Sequence, residues 1–374
     1  MVSVERLSWL QWSNVAPDWE RIHSRCRAAS FFLSREWVDC WLSVFGNDLN
    51  PEILTFTSDG ETVGCCLLVW RVEWIHGVPF RRVYLNCAGE DASDSTCIEY
   101  NSLLALGEHE ESVASALSSY LKGRRWDELL LPGIVEQKAM QMLKSLTGRA
   151  EVLEQPAHYV AFGPLRDGPC DYLGAISSKA RKRIGQTRRT FEEDGDTCEV
   201  RIAESVEEAL EMLRQLAELH QERWESRGSD GCFSSEKFTL FHTRMIQRNF
   251  ERVLLLRVQA GTKIAGLLYC FVHDGWVHYY QSGFCYSLDR RRSPGLLTVS
   301  SAISACLERK EITGFDFMAG DSLYKNSLGT ATRHLEWVTV QRNTPMMAVL
   351  RGLKGLKRML RAQTDIEAPP VGTE

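Results

Sequence analysis

One order of elements is written twice in this chain, the copies about 200 residues apart, and this recurrence limits the fold more than any other feature. In the first copy, residues 53–57 form an apolar strand, Ser58-Asp59-Gly60 turns the chain, and residues 63–70 return beside it. A further strand is predicted over 82–87, a helix over 110–121, and a buried strand over 126–131 that Pro132-Gly133 stops. Two helices precede this set. Asp18 caps one that runs to about Arg27, and Ser34 opens another with Trp37, Val38, Trp41, Leu42 and Phe45 at helical spacing before Gly46. In the second copy, helices around 204–227 and 235–249 lead to a strand over 253–258, the turn Ala260-Gly261 and a return over 263–272. The turn Asp274-Gly275, a strand over 276–282, a helix over 295–308 and a strand over 315–318 complete it. Glu61-Thr62-Val63-Gly64 and Thr262-Lys263-Ile264-Ala265-Gly266 occupy matching places. The expectation is two α/β domains of one type, residues 1–165 and 166–345, joined where Gly163-Pro164, Gly168 and Pro169 punctuate the chain.

Composition suits that reading. Hydrophobic residues make up 44% and charged residues 25%, so each half can bury a core. Lys and Arg number 44 against 49 Asp and Glu, a net charge of −5 that excludes a chain coated for nucleic acid; a basic site must be local. The 12 cysteines form no CxxC pair, and residues 1–6 carry no secretory signal, which points to reduced thiols in a cytoplasmic protein. The longest apolar runs, such as 264–272, fall well short of the roughly 20 residues that span a bilayer. Residues 346–361 predict a basic amphipathic helix, with Met346, Val349, Leu350, Leu353, Leu356 and Leu360 on one stripe. Such a helix docks by its stripe with a solvated basic face, or makes peripheral contact with an anionic membrane. The rest of 346–374 reads as a disordered tail.

The chemistry is concentrated between Lys263 and Gly329. A strand hairpin there is followed by Arg290, Arg291, Arg292, Ser293, Pro294, Gly295 and Leu296, and then by a helix. Small residues at a helix start offer bare N–H groups and a positive dipole end to a phosphate, and arginines add charge-assisted contacts. A basic turn before Pro-Gly is also an ordinary helix start. Asp316 lies in an apolar strand between Phe315 and Phe317, so it needs a partner: it is a candidate base or half of an ion pair. His278 shares a strand face with Trp276, Tyr280 and Ser282, opposite Val277, Tyr279 and Gln281. It is a candidate base or a structural histidine, and Tyr280 and Gln281 are candidate substrate contacts. Lys179, Arg181, Lys182, Arg183, Arg188 and Arg189 meet no acid until Glu192. Arg181 and Lys182 are therefore candidate anion contacts, or members of a solvated face paired with Glu192, Glu193 and Asp194. Trp224, near the end of a long helix, walls an acceptor pocket or packs at an interface.

These pieces form an ordered series: the basic helix Ser177-Ser178-Lys179-Ala180-Arg181-Lys182-Arg183-Ile184, then Ile264-Ala265-Gly266, then Val277-His278-Tyr279-Tyr280-Gln281-Ser282-Gly283. Ser293-Pro294-Gly295, Phe315-Asp316-Phe317, Gly320-Asp321, Tyr324-Lys325 and Gly329 follow. As a series, over about 175–330, this resembles the GNAT-fold acetyltransferases of the CelD-like cellulose-biosynthesis type, relatives of the FemABX transferases. Arg290-x-x-Ser293-x-Gly295 is a degenerate form of the Arg/Gln-x-x-Gly-x-Gly/Ala pyrophosphate loop of GNAT enzymes, with Ser293 where glycine is usual. The first half resembles the family more loosely, through Phe32, Ser34, Trp37 and Glu99-Tyr100, and departs from the loop pattern.

The resemblance implies two tandem GNAT-like domains, each a mixed, mostly antiparallel sheet flanked by helices. It implies an acyltransferase moving an acyl group from acyl-CoA, acetyl-CoA in the first instance, to an amine of a small molecule, sugar or carrier-linked biosynthetic intermediate. Acyl-CoA is then a co-substrate held by Arg290, Arg291, Arg292, Ser293, Gly295 and Leu296, with no metal. Tyr324 is implied as the acid for the leaving thiolate, and Lys325, four residues before Gly329, as a partner for a phosphate or oxyanion. Two alternatives stand beside this reading: an aminoacyl-tRNA-dependent transferase of the FemABX kind, and a non-catalytic GNAT-like scaffold in polysaccharide or natural-product assembly. The chain has no GxSxG, HExxH or P-loop motif, and its histidines show no zinc-ligand spacing.

Overall fold

The computed structural model describes residues 2–26, 29–75, 77–135, 146, 148–168, 171–193, 195–286, 293–344 and 347. The predicted basic helix over 346–361 and its tail therefore lie outside the described residues, apart from Met347. The first half contributes β1 (Ser3–Ser8), β2 (Glu52–Ser58), β3 (Glu61–Ile75), β4 (Val78–Leu85), the short β5 (Leu104–Ala105), β6 (Glu128–Val135) and β7 (Arg149–Ala161). The second contributes β8 (Cys198–Ile202), β9 (Val253–Ala260), β10 (Lys263–His273), β11 (Trp276–Phe284), β12 (Gly314–Ala319) and β13 (Ala331–Gln341). Helices α1 (Trp12–Arg25), α2 (Arg35–Leu49) and α3 (Glu110–Lys122) belong to the first half. Helices α4 (Ser178–Phe191), α5 (Val206–Glu225), α6 (Glu236–Arg248), α7 (Pro294–Glu308) and α8 (Leu323–Leu328) belong to the second. Serine side chains cap four of these helices: Ser34, Ser177, Ser205 and Ser235 each accept a first-turn N–H.

All the strands join one sheet, in the order β1-β2-β3-β4-β6-β13-β7-β12-β11-β10-β9-β8, with β5 beside β3. Read inward from either edge, the order is the same: four antiparallel strands, a parallel step, then one further strand. The parallel steps are β4 to β6 and β11 to β12. The strands at the centre are exchanged, because β13 of the second half pairs with β6 and β7 of the first half pairs with β12. β7 and β13 zip together from Ala331–Tyr159 to Gln341–Arg149. The sheet therefore runs unbroken past the sequence boundary near residue 165. The expected class, α/β with a mixed, mostly antiparallel sheet flanked by helices, is the one the chain adopts.

An aromatic seam locks the halves together on one face. Phe31 stacks on Phe271 with ring centroids 4.5 Å apart, and Trp37 meets Phe241 at 4.8 Å. That core continues through both halves, while a second core lies under α4 and α7 on the opposite face of the second half. Pro132-Gly133 does not end its strand. β6 continues to Val135 because Gly133, at φ 63°, takes the left-handed conformation and a bulge opposite β13 absorbs the extra residues.

The parallel step of the first half is stitched shut. Asn101 donates its backbone N–H to Gly133 O and its side chain to Leu85 O, and it accepts from Asn86. It thus spans the gap where β4 and β6 part. Asn101→Ala leaves the Asn86 amide and the Leu85 carbonyl short of partners, at about 2–4 kcal/mol of stability in total. Urea unfolding should show that loss, and a change below ~1 kcal/mol would mean the stitch contributes little.

Candidate active site

In the second half the equivalent strands part with no such stitch among the described residues. β11 and β12 pair only from Trp276–Gly314 to His278–Asp316, after which β11 pairs with β10 alone. A bulge marks the parting: Tyr269 opposes Gln281 and Cys270 opposes Tyr279, so Tyr280 has no register partner. Bulges at such points re-aim backbone and side chains. The sheet sorts the nearby residues onto two faces. Val277, Tyr279, Phe315 and Phe317 enter the core beneath α7, and Tyr324 packs against it. There Tyr324 Oη donates to Tyr279 Oη (3.4 Å), and Tyr279 Oη donates to Ser282 Oγ (2.7 Å). Burial raises the Tyr324 pKa, so the phenol keeps its proton and can donate it.

On the other face His278 and Asp316 meet a segment of the first half. Tyr100 Oη donates to Asp316 Oδ2 at 2.6 Å, and Met318 N–H donates to Oδ1 at 2.7 Å. The Arg333 guanidinium stands 3.7 Å from the same carboxylate and lies over the Tyr159 ring at 4.3 Å. His278 sits between Tyr100 and Phe32, buried, with no partner for Nδ1; desolvation lowers its pKa and keeps it neutral. Glu99 Oε2 accepts the Ala319 N–H at 2.8 Å. Lys325 Nζ donates to Ala319 O (2.6 Å) and Met318 O (3.3 Å). Burial lifts the Glu99 carboxyl to about 7 against the pull of that hydrogen bond and of Lys325, and burial lowers Lys325. Cys97, Tyr100 and Met318 all hold positive φ (49°, 50° and 61°), so the two segments that meet here are both strained.

Of the residues singled out from the sequence, Asp316, His278 and Lys325 gather at this junction, with Tyr324 on the opposite face of the same strands. The anion turn is narrower than its motif suggests. Ser293 gives its N–H to Thr187 Oγ1 of α4, Pro294 has none, and Gly295 lies against the Phe284 ring. The first-turn amides left for an anion are those of Gly295 and Leu296. Arg290, Arg291 and Arg292 lie outside the described residues.

Three residues expected to contact substrate already hold hydrogen bonds within the chain. Arg181, an exposed residue, gives Nη1 to the carbonyls of Leu173, Gly174 and Ile176, clasping the turn before α4. Tyr280 donates to Thr96 O at 2.6 Å and packs among Phe271, His242 and Phe32 in the seam between halves. Trp224, 39% exposed, donates to His220 near the end of α5. Lys182 is exposed, and Gln281 is half-buried where the strands part. Arg333, Thr187 and the acid role open to Glu99 escaped the sequence reading. Only Glu99-Tyr100 left a trace there, as a matched pair.

Residues 178–326 match the acetyltransferase (GNAT) domain family, across this site, and the match supports a transferase. Nothing among the curated proteins matches the chain in sequence. In fold, it is similar to the crystal structure of FemX, with a TM-score of 0.58 at 10% identity over 89% of this chain and 98% of that one. L-PGS from Bacillus licheniformis scores 0.51 at 13% identity, covering 84% and 94% of the two chains. A conserved protein of unknown function from Bacteroides thetaiotaomicron scores 0.51 at 10% identity, covering 91% and 100%. Among the described residues no helix is long and apolar enough to cross a membrane.

The Tyr100–Asp316 contact is the testable centre of the junction. A double-mutant cycle with Tyr100→Phe and Asp316→Asn should give a coupling of about 1.5–3 kcal/mol, the range for a hydrogen bond to a charged group. A coupling near zero in thermal or urea unfolding would show that the halves are held elsewhere.

Proposed function

We propose that the chain is an acyltransferase that moves an acyl group from an acyl-CoA thioester, acetyl-CoA in the first instance, to an amine. The observation that carries this reading is the parting of β11 and β12 beside the N-terminus of α7, with the bulge at Tyr280. A thioester lying in that gap has Tyr324 on one side and the Asp316, His278 and Glu99 cluster on the other. The diphosphate of the donor meets the amides of Gly295 and Leu296 and the positive end of the helix. An amine delivered from the cluster side attacks the thioester carbonyl carbon. The C–N bond forms, the C–S bond breaks, Tyr324 gives its proton to the leaving sulfur, and the amine's proton leaves to a carboxylate. Solvent then returns a proton to Tyr324.

The exposed Lys179, Lys182, Arg183 and Arg189 on α4 favour a second reading, transfer from an aminoacyl-tRNA. It differs in test: charged tRNA, and not acetyl-CoA, would support transfer, with steeply salt-dependent binding.

Calorimetry should show acetyl-CoA binding that Gly295→Asp weakens at least tenfold, because it adds a negative charge at the helix start and crowds the Phe284 ring. Tyr324→Phe should bind acetyl-CoA normally yet lower kcat roughly 10²-fold. If no CoA thioester binds the wild-type chain, the donor assignment is wrong.

A further inference from the structure

We infer that the cavity lined mainly by the first half, and closed on one side by β13, is the acceptor site, that it takes a small primary ammonium ion, and that Glu99 binds that ion and receives its proton. This rests on the acyl-CoA reading of the second half. The cavity holds about 550 Å³ where β4 and β6 part, between Tyr84, Leu130, Pro132 and Trp337, with residues 87–99 as its floor. Its position is the symmetry mate of the proposed donor gap, but its chemistry is opposite. Asn101 closes the gap that a donor arm would need. The helix that follows, α3, begins with Glu110 and Glu111, after Glu108, so its N-terminus repels a diphosphate.

The charges lining the cavity favour a cation. Arg71 is held by Asp91 (2.9 Å) and Arg82 by Glu73 (2.7 Å), so each arginine is matched by a carboxylate of the same wall. Among the lining groups Glu90 and Glu99 are left over, with Lys325 of α8 facing Glu99 from outside the cavity. Glu90 is anchored through Oε1 by Trp41 and Thr96. Glu99 uses only Oε2, on Ala319 N–H, and also borders a second hollow of about 270 Å³ with Ala319, Gly320 and Trp337. It therefore stands between the cavity and the end of β12, where the proposed reaction gap opens.

The ammonium N–H proton passes to the Glu99 carboxylate, and the freed nitrogen lone pair attacks the thioester as above. The groups facing Glu99 are Lys325 from α8, Asp316 and the Ala319 amide from β12, and Tyr100 from its own segment, with Arg333 of β13 behind Asp316. With that carboxyl lifted to about 7, the ionised form gains population as pH rises, so kcat/KM for an amine increases through neutrality.

The test uses the full chain with acetyl-CoA and a set of probes: n-butylamine, 1,4-diaminobutane, n-butanol and butyrate. Mass spectrometry reads acetyl transfer, and saturation-transfer NMR reads binding. The amines should bind and be acetylated, whereas butanol and butyrate should do neither. Glu99→Gln should lower transfer roughly 10²-fold and flatten the rise through neutral pH, with partial rescue by Glu99→Asp. Ala88→Phe fills the cavity and should abolish amine binding while leaving acetyl-CoA binding and the unfolding temperature unchanged. Amine binding or transfer that survives both Glu99→Gln and Ala88→Phe would overturn the inference. If acetyl-CoA fails to bind, the donor reading falls, but diaminobutane binding that Ala88→Phe abolishes would still uphold the cavity as an ammonium site.

Discussion

The exchange of central strands is the constraint on which the rest of this structure depends. Because β13 lies between β6 and β7, and β7 lies between β13 and β12, neither half completes its own sheet. Backbone N–H and C=O groups in a sheet interior must be paired, so each half obtains the partners for its innermost strand from the other. The aromatic seam of Phe31, Phe32, Trp37, Phe241 and Phe271 then removes the freedom that a hinge between domains would otherwise keep. A polar cluster drawn from both halves can hold its geometry only in such a frame. The 2.6 Å bond from Tyr100 to Asp316 crosses 216 residues of sequence.

Much of this was legible in the chain, for identifiable reasons. The hairpins around Gly60 and Gly275 and the helix after Ser34 follow local rules, since turn residues and caps act over a few positions. Asp316 stood out because a lone carboxylate between two phenylalanines needs company. The exchanged strands did not stand out. β7 carries Pro156, which ordinarily demotes a strand to an edge; here β12 resumes pairing only at Ala157, and Pro156 uses its carbonyl, accepting from Gly320. β13 alternates polar and apolar residues, yet its meaning comes from partners about 170–210 residues away, beyond the reach of any local pattern.

Three residues show what sequence leaves out about a side chain's surroundings. Arg181, Tyr280 and Trp224 each have a side chain able to bind a substrate, and sequence shows that ability without showing what already occupies it. Three backbone carbonyls hold Arg181, Thr96 O holds Tyr280, and His220 holds Trp224. Glu99 is the reverse case. Its carboxylate accepts from Ala319 of the other half, and in the sequence only the matched pair Glu99-Tyr100 set it apart from an ordinary surface acid.

Duplication supplies two equivalent gaps, and chemistry requires that they not remain equivalent. Under the proposed transfer the acyl donor brings a diphosphate and the amine acceptor a cation, so sites with the same charge could not serve both. The second half offers a helix start with Pro294 and Gly295 and no acid in its first turn, whereas α3 opens on Glu110 and Glu111. The backbone diverges in the same sense, since Asn101 threads the first gap and no equivalent bond closes the second among the described residues. On the proposed reading, a thioester entering where β11 and β12 part meets the groups gathered beside the first gap. Strain at Cys97, Tyr100 and Met318 is stored where the two meet, and a fold locked by exchanged strands can carry that cost.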